Sequence, residues 1–306
     1  MARMSMKPRR LPPFIVLPWL CAWVLPAWLL AAGVSGVLAE APSRSAGVPP
    51  ASSTQATRER LGPGVVFIRD VRKQPRQLVI AVVEIDLQQA GIEFVASPGD
   101  PSGGREFRAL TTSHFLKANH LRLAVNGGFF APFKAASPFN YYPHEGDPVD
   151  VFGLCAARGK IISNNEANYR ALDLSAKNEA SIIDDPAKAY NAVSGRPLSL
   201  DPKTPPTDPA IHPRTAVAID HHRHTLILMV VDGRQPGYSE GVTLAELAKL
   251  LAERGGDEAL NLDGGGSTTM VCADAKGTIR QLNRPIHVGI PGNERPVANH
   301  LGLTWK

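Results

Sequence analysis

One stretch limits what this chain can fold into more than any other: "EALNLDGGGSTTMVC", Glu258 to Cys272. An apolar run ends on an aspartate. Three glycines follow, then Ser267, Thr268 and Thr269. A turn needs one glycine, at most two. Three in succession indicate that something must come close to the backbone there. Two other apolar runs end in the same manner. "TLILMVV" stops at Asp232-Gly233, and "LRLAVNGGFF" breaks at Asn126-Gly127-Gly128.

Between the runs ending at Asp232 and Asp263 lies "GVTLAELAKLLAERGG". Thr243 and Glu246 have capping-box spacing, Leu244, Leu247, Ala248 and Leu251 line one face, and Gly255-Gly256 stops the helix. A helix over 243–254 therefore joins two strands, and such a crossover joins parallel strands. Parallel strands end at one edge, so Asp232 and Asp263 should emerge on the same rim, where ligands of open α/β sheets collect. "RTAVAID" and "TLILMVV" form a hairpin across the turn "HHRH", which sets Arg214 beside Asp232. Asn126 joins that rim if its strand runs parallel to the others. Further strands are expected in "GVVFIRDV", "QLVIAVVEIDL" and "GIEFVAS", at 151–157 and 160–163, and near 171–183. A short helix is expected over 112–119, and 131–150 reads as a long irregular loop with aromatic content. The expected fold is α+β or mixed α/β: a single domain with a curved mixed β-sheet flanked by a few helices.

The N-terminus is of another kind. Arg3, Lys7, Arg9 and Arg10 precede an uncharged apolar stretch from Leu11 to Leu38, and "VLAEAP" offers a cleavage site after Ala39. Residues 1–39 read as a signal peptide or an N-terminal membrane anchor; either exports the rest, to the periplasm or outside the cell. Residues 40–60, rich in Pro, Ser and Ala, read as a linker, and 61–306 as one folded domain. The formal charge of +5 comes from 33 basic and 28 acidic residues. Residues 1–39 hold four of the basic and none of the acidic ones, which leaves 29 against 28. Basicity thus belongs to the leader, and nucleic acid is not an expected partner. Contact with a membrane is expected only through the leader.

Beyond the leader two cysteines remain, Cys155 and Cys272; export permits a disulfide between them, and a pair of buried thiols is the alternative. No Cys/His metal pattern appears and no cofactor is expected. His221, His222 and His224 lie at a hairpin tip on the opposite edge, where a solvated turn explains them.

At the rim, successive N–H groups of Gly264, Gly265 and Gly266 could cradle an anion. Arg214 and Arg295 could fork onto it, and Ser267 and Thr268 add hydroxyl donors. Thr215, Glu294 and His144 are further candidates near the same stretches. Taken singly, "GGGS" is a flexible turn, "NGGFF" a packed turn and Asp-Gly an ordinary turn pair.

Together, "NGGFF", "RTAVAID", the following Asp-Gly, "GVTLAELAKLL", "NLDGGGSTTM" and "RPVAN" resemble the phosphodiester glycosidase family, from about Leu121 to Leu303. The resemblance implies hydrolysis of the bond between a sugar's anomeric carbon and a phosphodiester oxygen, so the partner is a glycan or sugar phosphate. It implies a site built from Asn126, Gly127, Gly128, Arg214, Asp232, Asp263, Gly264, Gly265, Ser267 and Arg295. The family pattern is weaker over the first hundred residues, and the loop 131–150 departs from it, so the sugar does not transfer. Asp263 or Asp232 would act at the anomeric carbon, with Asp263 preferred because the glycine loop sets it nearest the anion. Two other classes meet part of the pattern. One is a metal-dependent phosphodiesterase cutting P–O. The other is a non-catalytic polysaccharide-binding protein of envelope assembly.

Overall fold

The computed structural model describes residues 55–306. The segment 1–39 and residues 40–54 of the expected linker lie outside the described residues. The linker reading fails at its end: Gln55–Gly62 is a strand, paired antiparallel with Val65–Arg72 at the edge of a large sheet. "QATRER" is polar because an edge strand is wet, not because it is irregular.

The described residues stack in four layers: helix, large sheet, small sheet, helix. The large sheet runs in spatial order Gln55–Gly62, Val65–Arg72, Leu78–Asp86, Thr225–Val231, Arg214–Asp220, Gly256–Asn261, Asn191–Pro197, Cys155–Ala157 and Lys160–Ser163. The hairpin Arg170–Leu174/Ala180–Ile183 attaches beside Asn191–Pro197. The small sheet runs Ile279–Gln281, Met270–Ala273, Leu123–Asn126, His300–Trp305 and Ile92–Ala96. Only two α-helices accompany them among the described residues, α1 (Thr112–Ala118) and α2 (Leu244–Ala252). The fold is therefore strand-rich rather than a balance of helix and strand.

Side-chain alternation assigns the layers. In Thr225–Val231, Leu226, Leu228 and Val230 enter the core between the sheets, while Ile227, Met229 and Val231 meet Leu247, Ala248 and Leu251 of α2. Leu78–Asp86 divides its side chains between the same two layers, which is why both strands read as unbroken apolar runs. On the far side, Ala124, Val271 and Ala273 of the small sheet pack against Phe115 and Leu116 of α1. The expected capping box at α2 is formed, with Thr243 Oγ1 accepting from Glu246 N–H and the Glu246 carboxylate accepting from Thr243 N–H. Gly255, at φ +85°, turns the chain after it.

Thr225–Val231 and Gly256–Asn261 do run parallel, but they are not neighbours. Arg214–Asp220 lies between them and pairs antiparallel with both. The hairpin register sets Arg214 opposite Val231, one residue from Asp232. Leu123–Asn126 belongs to the small sheet, so Asn126 reaches the rim from the second layer and not as a parallel neighbour. Residues 131–150 are less irregular than expected. They hold a hairpin, Lys134–Ser137/Asn140–Tyr142, and part of the strand Pro148–Val151.

The disulfide expectation fails. Cys155 and Cys272 are both free and buried. Cys272 lies in the core between the sheets, and Cys155 in a separate cluster with Phe107 and Val151. The Cys155 sulfur accepts from Asn299 Nδ2 at 3.0 Å, and burial pushes its thiol up to about 12.

Candidate active site

The site forms where the strand ends at Asn126, Val231 and Asn261 meet the start of Arg214–Asp220. Asn126 is fully buried and ties the two sheets together. Its Nδ2 donates to the Asp263 carbonyl at 2.7 Å, and its Oδ1 accepts from Thr215 Oγ1 at 2.8 Å and Thr269 N–H at 3.1 Å. Asp263 N–H donates to the Gly127 carbonyl at 3.1 Å. Gly128 N–H donates to Asn299 Oδ1 at 2.9 Å, and a side chain at Gly128 would strike the Ser194 carbonyl, 2.6 Å from its Cβ position. The "NGG" break therefore presses the small sheet against the large one beside Asp263.

Asp263 retains partial exposure. Its Oδ2 accepts from Ser267 Oγ at 2.6 Å, and Ser267 Oγ in turn accepts from Arg295 Nη1 at 3.1 Å. Burial raises the Asp263 carboxyl above the usual range; the Ser267 hydrogen bond and the charges of Arg295 and Arg234 act against that rise. Arg295 is 7% exposed. Its Nε donates to His287 Nδ1 at 3.3 Å, and its guanidinium lies 4.3 Å from the centre of the Phe133 ring. Burial brings Arg295 down to about 10 and His287 to about 4, so at neutral pH Arg295 is charged and His287 neutral. Accepting at Nδ1 places the His287 proton on Nε2, which is buried without a partner among the described residues.

The glycines turn out to serve a different end from the expected cradle. Gly264 N–H turns to the Asp263 carboxylate and Gly265 N–H to the Pro213 carbonyl, so two of the three donors are already used. What the loop supplies is room. A Cβ on Gly264 would sit 2.8 Å from the Pro213 carbonyl, one on Gly265 3.1 Å from Arg234 Nη1, and one on Gly266 would overlap the Arg295 guanidinium. Three missing side chains leave room for two guanidinium groups whose charges act on the Asp263 carboxylate.

Two expected members point elsewhere. Arg214 is 8% exposed and shares parity with Ala216 and Ala218, which face α2. Its guanidinium donates to the carbonyls of Val242 and Ala210 and lies 3.4 Å from Asp208. Asp232 is 1% exposed and has the opposite parity. Its oxygens accept from Asn283 Nδ2 at 2.9 Å, Arg284 N–H at 3.0 Å and Tyr238 Oη–H at 3.1 Å, and burial raises its carboxyl to about 6. Asn283 also donates to the Thr268 carbonyl and accepts from Met270 N–H, so Asp232 holds the exit of the glycine loop through Asn283. Thr268 lends that loop its carbonyl and leaves its buried Oγ1 unpartnered among the described residues.

Glu294 does not face Asp263. It accepts from Ser113 N–H and Oγ–H in the first turn of α1 and from Gln281. His144 lies one shell out, 4.4 Å from the Tyr141 ring, which itself stands edge-on to His287 at 4.7 Å. Arg234 is the member that sequence reasoning missed. It is exposed, has φ +57°, and its charge acts on Asp263. Its position directly after a rim Asp-Gly was the available signal. Asn283, His287 and Asn299 carried none, because each is placed by packing between distant segments. Among the described residues no group of three or more His, Cys, Asp or Glu side chains is arranged to hold a metal ion.

This strand-rich αββα scaffold has relatives among known sequences and structures. The sequence model of the phosphodiester glycosidase family matches residues 119–304, and the chain belongs to that family of glycosidase-type hydrolases. Among solved structures, it is similar to the catalytic domain of zebrafish N-acetylglucosamine-1-phosphodiester α-N-acetylglucosaminidase, auto-inhibited by its pro-peptide. The TM-score is 0.56 at 19% identity, covering 84% of this chain and 85% of that one. It is also similar to a Burkholderia pseudomallei K96243 protein described as exported, with a TM-score of 0.60 at 14% identity, covering 84% and 97%. No curated protein sequence matches the chain.

Proposed function

We propose that this protein is an exported hydrolase that cleaves the glycosidic C–O bond of a sugar-1-phosphodiester, with an N-acetylglucosamine-like sugar, in an envelope or extracellular glycan. The observation that carries the reading is one carboxylate, on the half-buried residue Asp263, held by Ser267 and subject to the charges of Arg295 and Arg234. An ordinary glycosidase needs a second carboxyl group to protonate its leaving alkoxide. A departing phosphate monoester has a second pKa of about 6 and leaves as an anion, so cationic donors take over much of that role. In this reading Asp263 acts at the anomeric carbon, as nucleophile or as base for water. Arg295 and Arg234 hold the departing phosphate. Ser267 orients Asp263 and Arg295 together. Asn126 and Asp232 keep the loop in place. Arg214 supports the rim rather than the phosphate. Export rests on the basic and apolar pattern of residues 1–39; no helix among the described residues is long and apolar enough to cross a membrane.

Hydrolysis of an N-acetylglucosamine phosphodiester in heavy-oxygen water tests the bond that breaks. Label in the released sugar is expected. Label in the phosphate would assign the protein to P–O cleavage, and glycan binding without release would make it a binding protein. Asp263→Asn should lower kcat at least a thousandfold, about 4 kcal/mol of barrier, with substrate still bound. Wild-type turnover in that variant removes Asp263 from the chemistry.

A further inference from the structure

A second group of side chains adjoins the site and takes no part in the chemistry above. Phe129 follows Gly127 and Gly128, the stretch that accepts from Asp263 N–H. The Phe129 carbonyl accepts from Phe152 N–H at 2.9 Å, and the Phe152 carbonyl accepts from Ser194 Oγ. Gly153, at φ +87°, turns the chain where a Cβ would lie 2.8 Å from the Tyr169 Cβ. The Phe152 and Tyr169 rings are then near parallel, 18° apart with centroids at 6.0 Å, and Phe129 meets Tyr169 edge-on at 6.2 Å. Arg196 lies over both Phe129, at 5.3 Å, and Tyr169, at 5.5 Å. It pairs in register with Asn261, two residues before Asp263. The group is therefore anchored to the same strand end as the candidate carboxylate.

These side chains are not core. Phe152 is 36% exposed, Arg196 is exposed, and Phe129 and Tyr169 are half-buried. Arg196 makes one side-chain hydrogen bond, to Tyr169 Oη at 3.4 Å, and no carboxylate among the described residues pairs with it. Flat apolar faces beside an uncompensated guanidinium suit a ligand with an apolar ring face and a negative charge. A pyranose linked to a phosphodiester has both.

We propose that Phe129, Phe152, Tyr169 and Arg196 form a second subsite, which takes the next sugar of a phosphate-linked glycan on the rings and its phosphodiester on Arg196. The proposal rests on the glycosidase reading for the identity of the substrate. It places glycan length recognition on the Asn191–Pro197 side of Asp263, apart from the arginines that serve the scissile phosphate.

Two substrates test it: N-acetylglucosamine 1-(methyl phosphate), and the same unit extended by one further sugar phosphate. Phe152→Ala and Arg196→Gln should each raise KM for the extended substrate about tenfold. They should leave kcat, and both constants for the methyl ester, near wild type. Equal effects on the two substrates, or none on either, would overturn the subsite. Calorimetric titration of the extended substrate into Asp263→Asn, with and without Phe152→Ala, separates this from the fate of the glycosidase reading. Weaker binding in the double variant supports the platform even if the wild type releases no sugar. Unchanged binding sinks it even if turnover is normal.

Discussion

Ser267 couples the two charges of the site by donating to Asp263 and accepting from Arg295. Its removal leaves Asp263 under burial with one compensating bond fewer. Ser267→Ala should therefore shift the acidic limb of the kcat/KM profile to higher pH and lower kcat roughly 10- to 100-fold, the range for a hydrogen bond to a charged group. An unmoved limb would show that this bond does not tune the carboxylate. Asp232 makes a prediction about stability. Burial raises its carboxyl from 3.8 to about 6. The folded state thus holds the proton more tightly, so the contribution is whole below the unfolded value and lost as pH rises through about 6. Between pH 4 and 7 the wild type should lose roughly 2 kcal/mol relative to Asp232→Asn. Urea unfolding of both proteins at the two pH values measures it, and a pH-independent difference would refute the assignment. His287 works in the other direction. Its value falls from 6.5 to about 4, so its contribution is present above 6.5 and lost as pH drops through 4.

At the level of elements, the glycine loop and the strand ends decide the site. Gly266→Ala must displace the Arg295 guanidinium or the loop. It should cost about 1–3 kcal/mol of stability and reduce kcat/KM more than tenfold. Full activity in a folded Gly266→Ala protein would show that the close approach is incidental. The helix α2 and its cap were legible because capping is local: Thr243 and Glu246 are three residues apart and need no tertiary partner. The hairpin that places Arg214 at the rim was legible for the same reason. The direction of the Arg214 side chain was recoverable from alternation, since it shares parity with Ala216 and Ala218 on the α2 face. Asp232 has the other parity, so neighbouring rim positions carry these two side chains to opposite faces. The pairing of Leu123–Asn126 with Met270–Ala273 and His300–Trp305 was not legible, because its partners lie far along the chain.

At the scale of the whole fold, the described residues are held by four packed layers, and no disulfide joins them. Cys155 and Cys272 occupy different clusters, and burial raises both thiols. Dithiothreitol should leave Tm unchanged for the domain containing residues 55–306. A fall of several degrees, of the size expected when a native disulfide of about 2–4 kcal/mol is reduced, would contradict the free thiols. Layering also explains how Asn126 reaches Asp263. A single parallel sheet would have brought the rim residues together edge to edge; here the end of the small sheet is laid against the end of the large one.

Local spacing alone determined that strands end at or just before Asn126, Asp232 and Asp263, and that a capped helix lies between the last two. Those features depend on residues a few positions apart, and chain geometry fixes them before any packing occurs. Which guanidinium faces the carboxylate was decided only by the tertiary structure. The charges of Arg234 and Arg295 act on Asp263 because the sheets press distant loops together and three glycines leave the space, while Arg214, near the same rim, is drawn off to the helix face.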